Sequence, residues 1–216
     1  VRVHLLSQIG NLIHHFSDKV INETIFSNVI QGFNDSVAAM KAATIVSMVS
    51  IAPHLNGNNI KSLLRELERL QGDQDASIRC NSVICIAKIA EYIQSEFRVQ
   101  TLINCFARAA KDPFAQARKA AVSSYKTCGE FFNEATIAIN IMPVLSPLCY
   151  DQNTEVRVLA LKQMRSYIEI LGKDINFDEP TNETNEQVQQ KQTNSASPPK
   201  KQYQNKTQNM NNKYDN

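Results

Sequence analysis

The chain has 216 residues, with 23 Lys and Arg against 21 Asp and Glu, for a formal net charge of +2. That length holds one or two compact domains, and so even a charge balance argues against a concentrated phosphate-tracking stripe. No apolar run reaches the roughly 18 residues that a membrane-crossing helix needs, and the basic-then-apolar start of a signal peptide is missing.

Taken in chain order, helical patterns alternate with short turns. Val1-Arg2 opens a first helix with apolar residues at Leu6, Ile9 and Ile13. A second pattern covers residues 19–32 through Val20, Ile25, Val29 and Ile30, and the turn Asp35 to Lys41 (D-S-V-A-A-M-K) leads into a helix carrying Ile45, Met48 and Ala52. A third stripe over 58–71 contains Ile60, Leu63, Leu64, Leu67 and Leu70, followed by the turn Asp73 to Arg79 (D-Q-D-A-S-I-R) and Val83, Ile86 and Ala90. Residues 96–111 carry Phe97, Leu102, Ile103 and Phe106, then Asp112 to Arg118 (D-P-F-A-Q-A-R) leads to Val122, Tyr125 and Gly129. Residues 134–149 carry Ile137, Ile141, Val144, Leu145 and Leu148, then Asp151 to Arg157 (D-Q-N-T-E-V-R) leads to Leu161, Met164 and Ile168.

These segments are copies of one unit. Each full turn has an aspartate, four variable residues, an apolar residue and then Arg or Lys. The basic positions Arg2, Lys41, Arg79, Arg118 and Arg157 lie 39, 38, 39 and 39 apart. Downstream of each, apolar or small residues fall four, seven and eleven places on, which traces one face of an α-helix. A helix pair of 38–39 residues is the size of a HEAT or armadillo unit. The predicted fold is therefore all-α: a HEAT/armadillo-type superhelix, or solenoid, of about four and a half helix pairs, in which stacked neighbours supply each other's apolar cover. The pairs are expected at 1–16 (partial), 18–55, 57–93, 95–132 and 133–171. The unpartnered first helix and the valine start lead us to expect that the chain continues upstream.

Turn chemistry supports the same boundaries. Asp112 is expected to cap the helix after it with Pro113 in the first position, where no amide hydrogen is needed. Asn153 or Thr154 is expected to cap the last helix, with Glu155 at its positive end. Pro143 falls inside a helical pattern and should kink it. Gly172 is expected to stop the last helix. Residues 172–216 form the predicted disordered tail: in 181–216, eight Asn and seven Gln accompany only Val188, Ala196, Tyr203, Met210 and Tyr214 as apolar residues, too few to offset chain entropy.

No catalytic constellation emerges. The chain lacks the phosphate-loop, dinucleotide-binding, nucleophile-elbow and zinc-protease motifs, and its six glycines leave little material for phosphate-cradling loops. No cofactor, metal or small-molecule substrate is expected. His14-His15 are adjacent rather than a turn apart, and His4 and His54 have no companion at ligand spacing. Cys80, Cys85, Cys105, Cys128 and Cys149 are an odd number without a C-x-x-C pair, which reads as free thiols in a reducing compartment. The recurring Asp35, Lys41, Asp73, Arg79, Asp112, Arg118, Asp151 and Arg157 read as a structural ladder tying adjacent repeats. Glu66, Glu68, Asp73 and Asp75 cluster at a turn, as solvated charges or as a docking patch for a basic partner. Arg65, Arg69, Lys88, Arg98, Arg108, Lys111, Lys119 and Lys126, with Arg79 and Arg118, spread a mildly basic surface over two repeats. The glycosylation sequons at Asn22, Asn182 and Asn205 carry no weight in a cytosolic chain.

Several stretches resemble the HEAT repeats of the SCY-like pseudokinases (N-terminal kinase-like proteins): I-A-P-H-L-N at 51–56, I-R-C-N-S-V-I-C-I-A-K-I at 78–89, R-A-A-K-D-P-F-A-Q-A-R at 108–118, I-M-P-V-L-S-P-L at 141–148 and E-V-R-V-L-A-L-K-Q-M-R-S-Y-I at 155–168. The most distinctive residues are Ile78, Arg79, Cys80 and Asn81, and Asp112, Pro113 and Phe114. The resemblance covers residues 1–171. It implies an inactive kinase-like domain upstream and a non-catalytic scaffold, cytoplasmic or peripheral at Golgi membranes, that acts in Golgi-to-ER transport with COPI coat or small-GTPase components as partners. A branch of the family is tied to nuclear tRNA export, which makes tRNA an alternative partner. Coat-binding members end in a short basic signal, whereas this chain ends Asn-Lys-Tyr-Asp-Asn, with Lys200-Lys201 internal.

Overall fold

Among the described residues, nine helices are built from the stripes described above. The computed structural model describes residues 1–175, so the expected tail, beyond Ile175, lies outside the described residues. The helices are α1 (Arg2–Leu12), α2 (18–34), α3 (Ala38–Ile51), α4 (Gly57–Leu70), α5 (Ala76–Lys88), α6 (Ser95–Ala109), α7 (Ala115–Thr127), α8 (134–150) and α9 (Thr154–Leu171), and the described residues contain no strand. One compact unit spans Val1–Asp174.

The helices form two rows. α1, α3, α5, α7 and α9 lie directly against one another in succession, whereas α2, α4, α6 and α8 meet only sparsely. The stack is thus tight on one side and splayed on the other, the layout of an α-solenoid.

The interior follows the 39-residue register. Four places after the basic residue, Ile45, Val83 and Val122 are at most 2% exposed; seven places after it, Met48, Ile86 and Tyr125 are fully buried. From the splayed row come Phe33, Leu63, Leu67, Leu102, Phe106, Ile137 and Ile141, all buried. Each such large side chain contributes roughly 1.5–3 kcal/mol when removed from water.

Local chemistry departs from the sequence reading in three places. The position eleven residues on begins a 3-10 turn rather than continuing the α-helix, at Ile13–His15, Ala52–His54, Ala90–Tyr92 and Gly129–Phe131. The tighter turn is followed each time by an extended residue (Phe16, Leu55, Ile93, Phe132) that redirects the chain into the next helix. Pro143 sits just after a π turn, Ile137–Ile141, where the widened helix accommodates the missing amide hydrogen. α7 starts at Ala115, two residues later than the expected Pro113, because the Asp112 carboxylate accepts the Phe114 N–H (2.8 Å) and closes a turn instead of capping a helix. At the last helix, Asn153 Oδ1 accepts the N–H groups of both Glu155 and Val156 at 3.0 and 3.2 Å. Gly172 caps α9 with φ −96°, so its left-handed freedom is not used.

Tyr125 packs edge-on against Phe106, with ring centroids 5.2 Å apart, and its hydroxyl has no hydrogen-bond partner among the described residues although the side chain is fully buried. An unpaired buried hydroxyl costs about 1–3 kcal/mol. Tyr125→Phe is therefore expected to raise the urea midpoint, with a gain of about 1 kcal/mol and an unchanged denaturant slope; a loss of stability would show that the hydroxyl is satisfied.

Candidate interaction surface

The repeat aspartates and basic residues are brought together pairwise across units. Arg79 Nε and Nη2 donate to Asp112 Oδ2 and Oδ1 at 2.7 and 2.9 Å, and Arg118 repeats the fork on Asp151 at 2.7 Å for both contacts. Lys41 Nζ lies 2.6 Å from Asp73 Oδ2, and the exposed Arg2 is 3.5 Å from Asp35. Each aspartate also closes its own turn, accepting the N–H two residues on at Val37, Asp75, Phe114 and Asn153. The third arm of each guanidinium, Nη1, returns to the preceding turn: Arg79 to Asp73 O and Gln74 O, Arg118 to Asp112 O and Pro113 O. Arg157 makes the same return to Asp151 O and Gln152 O, but its Nη2 reaches only Thr154 Oγ1, and no carboxylate among the described residues meets it.

These contacts fix the charge state. The Arg79 and Arg118 hydrogen bonds hold the carboxyls of Asp112 and Asp151 below the usual carboxylate range. At Asp73 desolvation works in the opposite direction, and the Lys41 bond with the Asp75 N–H overcomes it. Burial pushes the thiols of Cys85, Cys105 and Cys128 up to about 12, so these are inert packing groups at neutral pH, while Cys80 and Cys149 are half-buried.

Other sequence-level clusters disperse. Glu66 pairs with Arg69 at 2.7 Å, Glu68 takes the weak thiol of Cys105, Asp73 pairs with Lys41 and Asp75 caps Ser77, so the four acidic residues at that turn are engaged separately. Much of the basic surface is consumed internally: Arg98 on Glu91 O and Ile93 O and over the Phe131 ring, Arg108 on Gln71 Oε1, Lys119 on Glu155. Arg65, Lys88, Lys111 and Lys126 keep no ion pair among the described residues. His54, which looked isolated in sequence, sits 3.1 Å from Asp18 and edge-on to His14. No group of three metal-type side chains occurs among the described residues.

The tight row offers the candidate surface. Exposed Val46 on α3 and Ile84 on α5 flank two shallow grooves, one with Asn81 and the other with Cys80 and Lys119. Ile78 is fully buried behind them, while Phe114, 40% exposed, stands in the turn after Pro113. The family-like residues therefore split between core (Ile78), ladder (Arg79, Asp112), groove (Cys80, Asn81) and turn (Pro113, Phe114). Sequence reasoning missed an amide lattice of Asn22, Asn56 and Asn59 that joins α2 to α4. Its one signal was the recurrence of asparagine 37 residues apart, at Asn22 and Asn59.

No protein-family model matches the chain. It is 29% identical over 187 residues, 87% of its length, to a probable inactive serine/threonine-protein kinase, scy1, of Dictyostelium discoideum, covering 23% of that protein. It is 30% identical over 187 residues to cytoplasmic export protein 1 of Saccharomyces cerevisiae, covering 85% of this chain and 25% of that one. The crystal structure of Cex1p superposes with a TM-score of 0.76 at 31% identity, covering 83% of this chain and 34% of that structure. The chain thus spans about a quarter of the length of these curated relatives.

Two outcomes follow from the ladder. Arg118→Ala, which strands the Asp151 carboxylate at a 7%-exposed position, is expected to cost about 2 kcal/mol in chemical denaturation, and Arg157→Ala about half as much or less. The lowered carboxyls contribute stability that is present above their unfolded value, near pH 4, and is lost as pH falls through the lower folded value. Acid titration followed by circular dichroism should therefore show destabilisation beginning below about pH 4, with a shallower dependence in Asp112→Asn; an identical profile in that variant would exclude the pair as its source.

Proposed function

This chain carries the HEAT-repeat region of the SCY-like family, and we propose that it serves as a non-catalytic scaffold on which proteins of Golgi-to-ER, COPI-linked transport assemble. The observation that carries this reading is a continuous row of five stacked helices whose outward face keeps apolar Val46 and Ile84 beside open grooves. Single exposed apolar residues are ordinary, but grooves recurring at the repeat spacing offer an extended protein its successive footholds. No described helix is long and apolar enough to cross a membrane, so membrane association in this reading runs through partners. The ladder residues Asp35, Lys41, Asp73, Arg79, Asp112, Arg118, Asp151 and Arg157 act structurally here, holding the row in register, and residues 1–171 form the repeat domain.

A tRNA-export adaptor is the second reading, favoured by the likeness to a cytoplasmic export protein and by Lys88 and Lys126 on the tight row, which keep no ion pair among the described residues. Internal consumption of most of the other cations weighs against it.

One pair of measurements separates the two. Immobilised full chain should retain purified coatomer or its small-GTPase partners with an affinity that changes little with salt. Binding of tRNA, if the second reading holds, should fall steeply between low and physiological salt, because each phosphate contact releases counterions. Absence of coat binding together with salt-sensitive tRNA binding would reverse the order of the two readings.

A further inference from the structure

The splayed row contains a seam that is closed in one place and open in the next. Between α2 and α4, Asn22 Nδ2 donates to His54 O at 2.8 Å, while Asn22 Oδ1 accepts from the Asn56 N–H at 2.8 Å and from Asn59 Nδ2 at 2.9 Å. One unit along, 38 residues after Asn59, stands Phe97, whose ring makes no such bonds. The seam between α4 and α6 is correspondingly open, with a cavity of about 350 Å³. Its floor is Ile60, Leu64 and Ile93, all buried, and its wall is Phe97, 54% exposed. That volume lies at the lower end of sites that hold small ligands or single anchoring side chains.

The rim is charged. Lys61 and Arg65 lie four residues apart on the exposed edge of α4, and Lys61 Nζ sits 5.2 Å from the centroid of the Phe97 ring. Like charges at this spacing repel on a helix, and among the described residues neither has a carboxylate partner. Carboxylates supplied from outside would relieve that repulsion. Glu68, farther along the groove, takes only the weak thiol of Cys105 and sets the end where an anion is disfavoured.

We propose that the α4–α6 groove is a docking site for a short acidic peptide, with a bulky apolar side chain seated against Phe97 and carboxylates on Lys61 and Arg65. A nucleic acid fits less well, because Phe97 is, among the described residues, the single aromatic lining the groove and already carries Lys61 over its ring, and Glu68 repels phosphate. The proposal rests on the reading of the chain as a protein scaffold and names the chemistry of one of its partners.

Fluorescence anisotropy with the full chain tests it, using three labelled probes: the hexapeptide Glu-Asp-Leu-Phe-Asp-Glu, the same peptide with Lys and Arg in place of the acids, and hexauridylate. The acidic peptide is expected to bind saturably, and about tenfold or more weakly to Lys61→Glu and to Phe97→Ser, each with unchanged helical circular dichroism, while Arg165→Glu on α9 leaves binding unaltered. Equal binding to wild type and Lys61→Glu, equal binding of the basic peptide, preference for hexauridylate, or no saturable binding would each overturn the proposal. A chain that still retains coatomer but ignores the acidic peptide loses this site alone; one that retains neither loses the scaffold reading as well.

Discussion

Everything in this solenoid depends on one carboxylate per unit serving two masters. The repeat aspartate closes its own turn by accepting the N–H two residues on, and it receives the guanidinium or ammonium of the unit before it. The arginine in turn reaches back with Nη1 to the carbonyls of its own turn. Turn geometry and the stacking offset are therefore set by the same atoms, so one unit cannot shift against its neighbour without breaking both. Bidentate geometry adds direction as well as strength, and the side chains involved are at most 16% exposed in the two arginine pairs. Lys41 supplies only a point charge to Asp73, and the solvent-exposed Arg2 contact is longer, so the ladder is weaker toward the N-terminal units.

Holding register is a separate matter from burying apolar surface. Neighbour cover does the latter, and the register shows it. Four places after the basic residue, Ile45, Val83 and Val122 are sealed by the next unit, whereas Leu161 at the same position in α9 is 54% exposed, as is Ile168 eleven places on. The residues are apolar in every copy, and burial follows only where another helix pair is stacked among the described residues. Stability in such a chain is a sum of intrinsic unit terms and nearest-neighbour terms.

Much of this was legible in the sequence because the repeat period is long and its signal redundant. A polar-apolar pattern seen once is ambiguous; seen at Ile45, Val83, Val122 and Leu161 with a basic residue always four places before, it specifies helix, face and register together. What stayed hidden depends on contacts between units. Nothing local shows that Arg98 turns to the carbonyls of residues 91 and 93, or that Arg108 goes to Gln71, so the apparent basic surface was overcounted. Within a single pair, His54 and Asp18, 36 residues apart, meet because its two antiparallel helices bring the end of the second over the start of the first. The start of α7 was misplaced for a related reason: the Asp112 side chain is drawn to Arg79 across the unit boundary and to Phe114 in its own turn, which leaves none of it to cap a helix.

The two sides of the solenoid are also under different constraints, and that bears on where variation is tolerated. On the tight row, second helices pack along one another, so small residues such as Ala87, Ala120 and Ala121 hold the contact surface and leave little room for change. On the splayed row, the gap between first helices must be filled by whatever the unit provides: an asparagine lattice between α2 and α4, and Phe97 with an open cavity between α4 and α6. A repeat protein that must keep its register yet recognise particular partners can hold the contact surface of the tight row nearly constant and write its specificity into that row's outward grooves and into the splayed row. The aspartate–arginine contacts lie at the turns between units, away from the seams of the splayed row, so those seams are not needed for them.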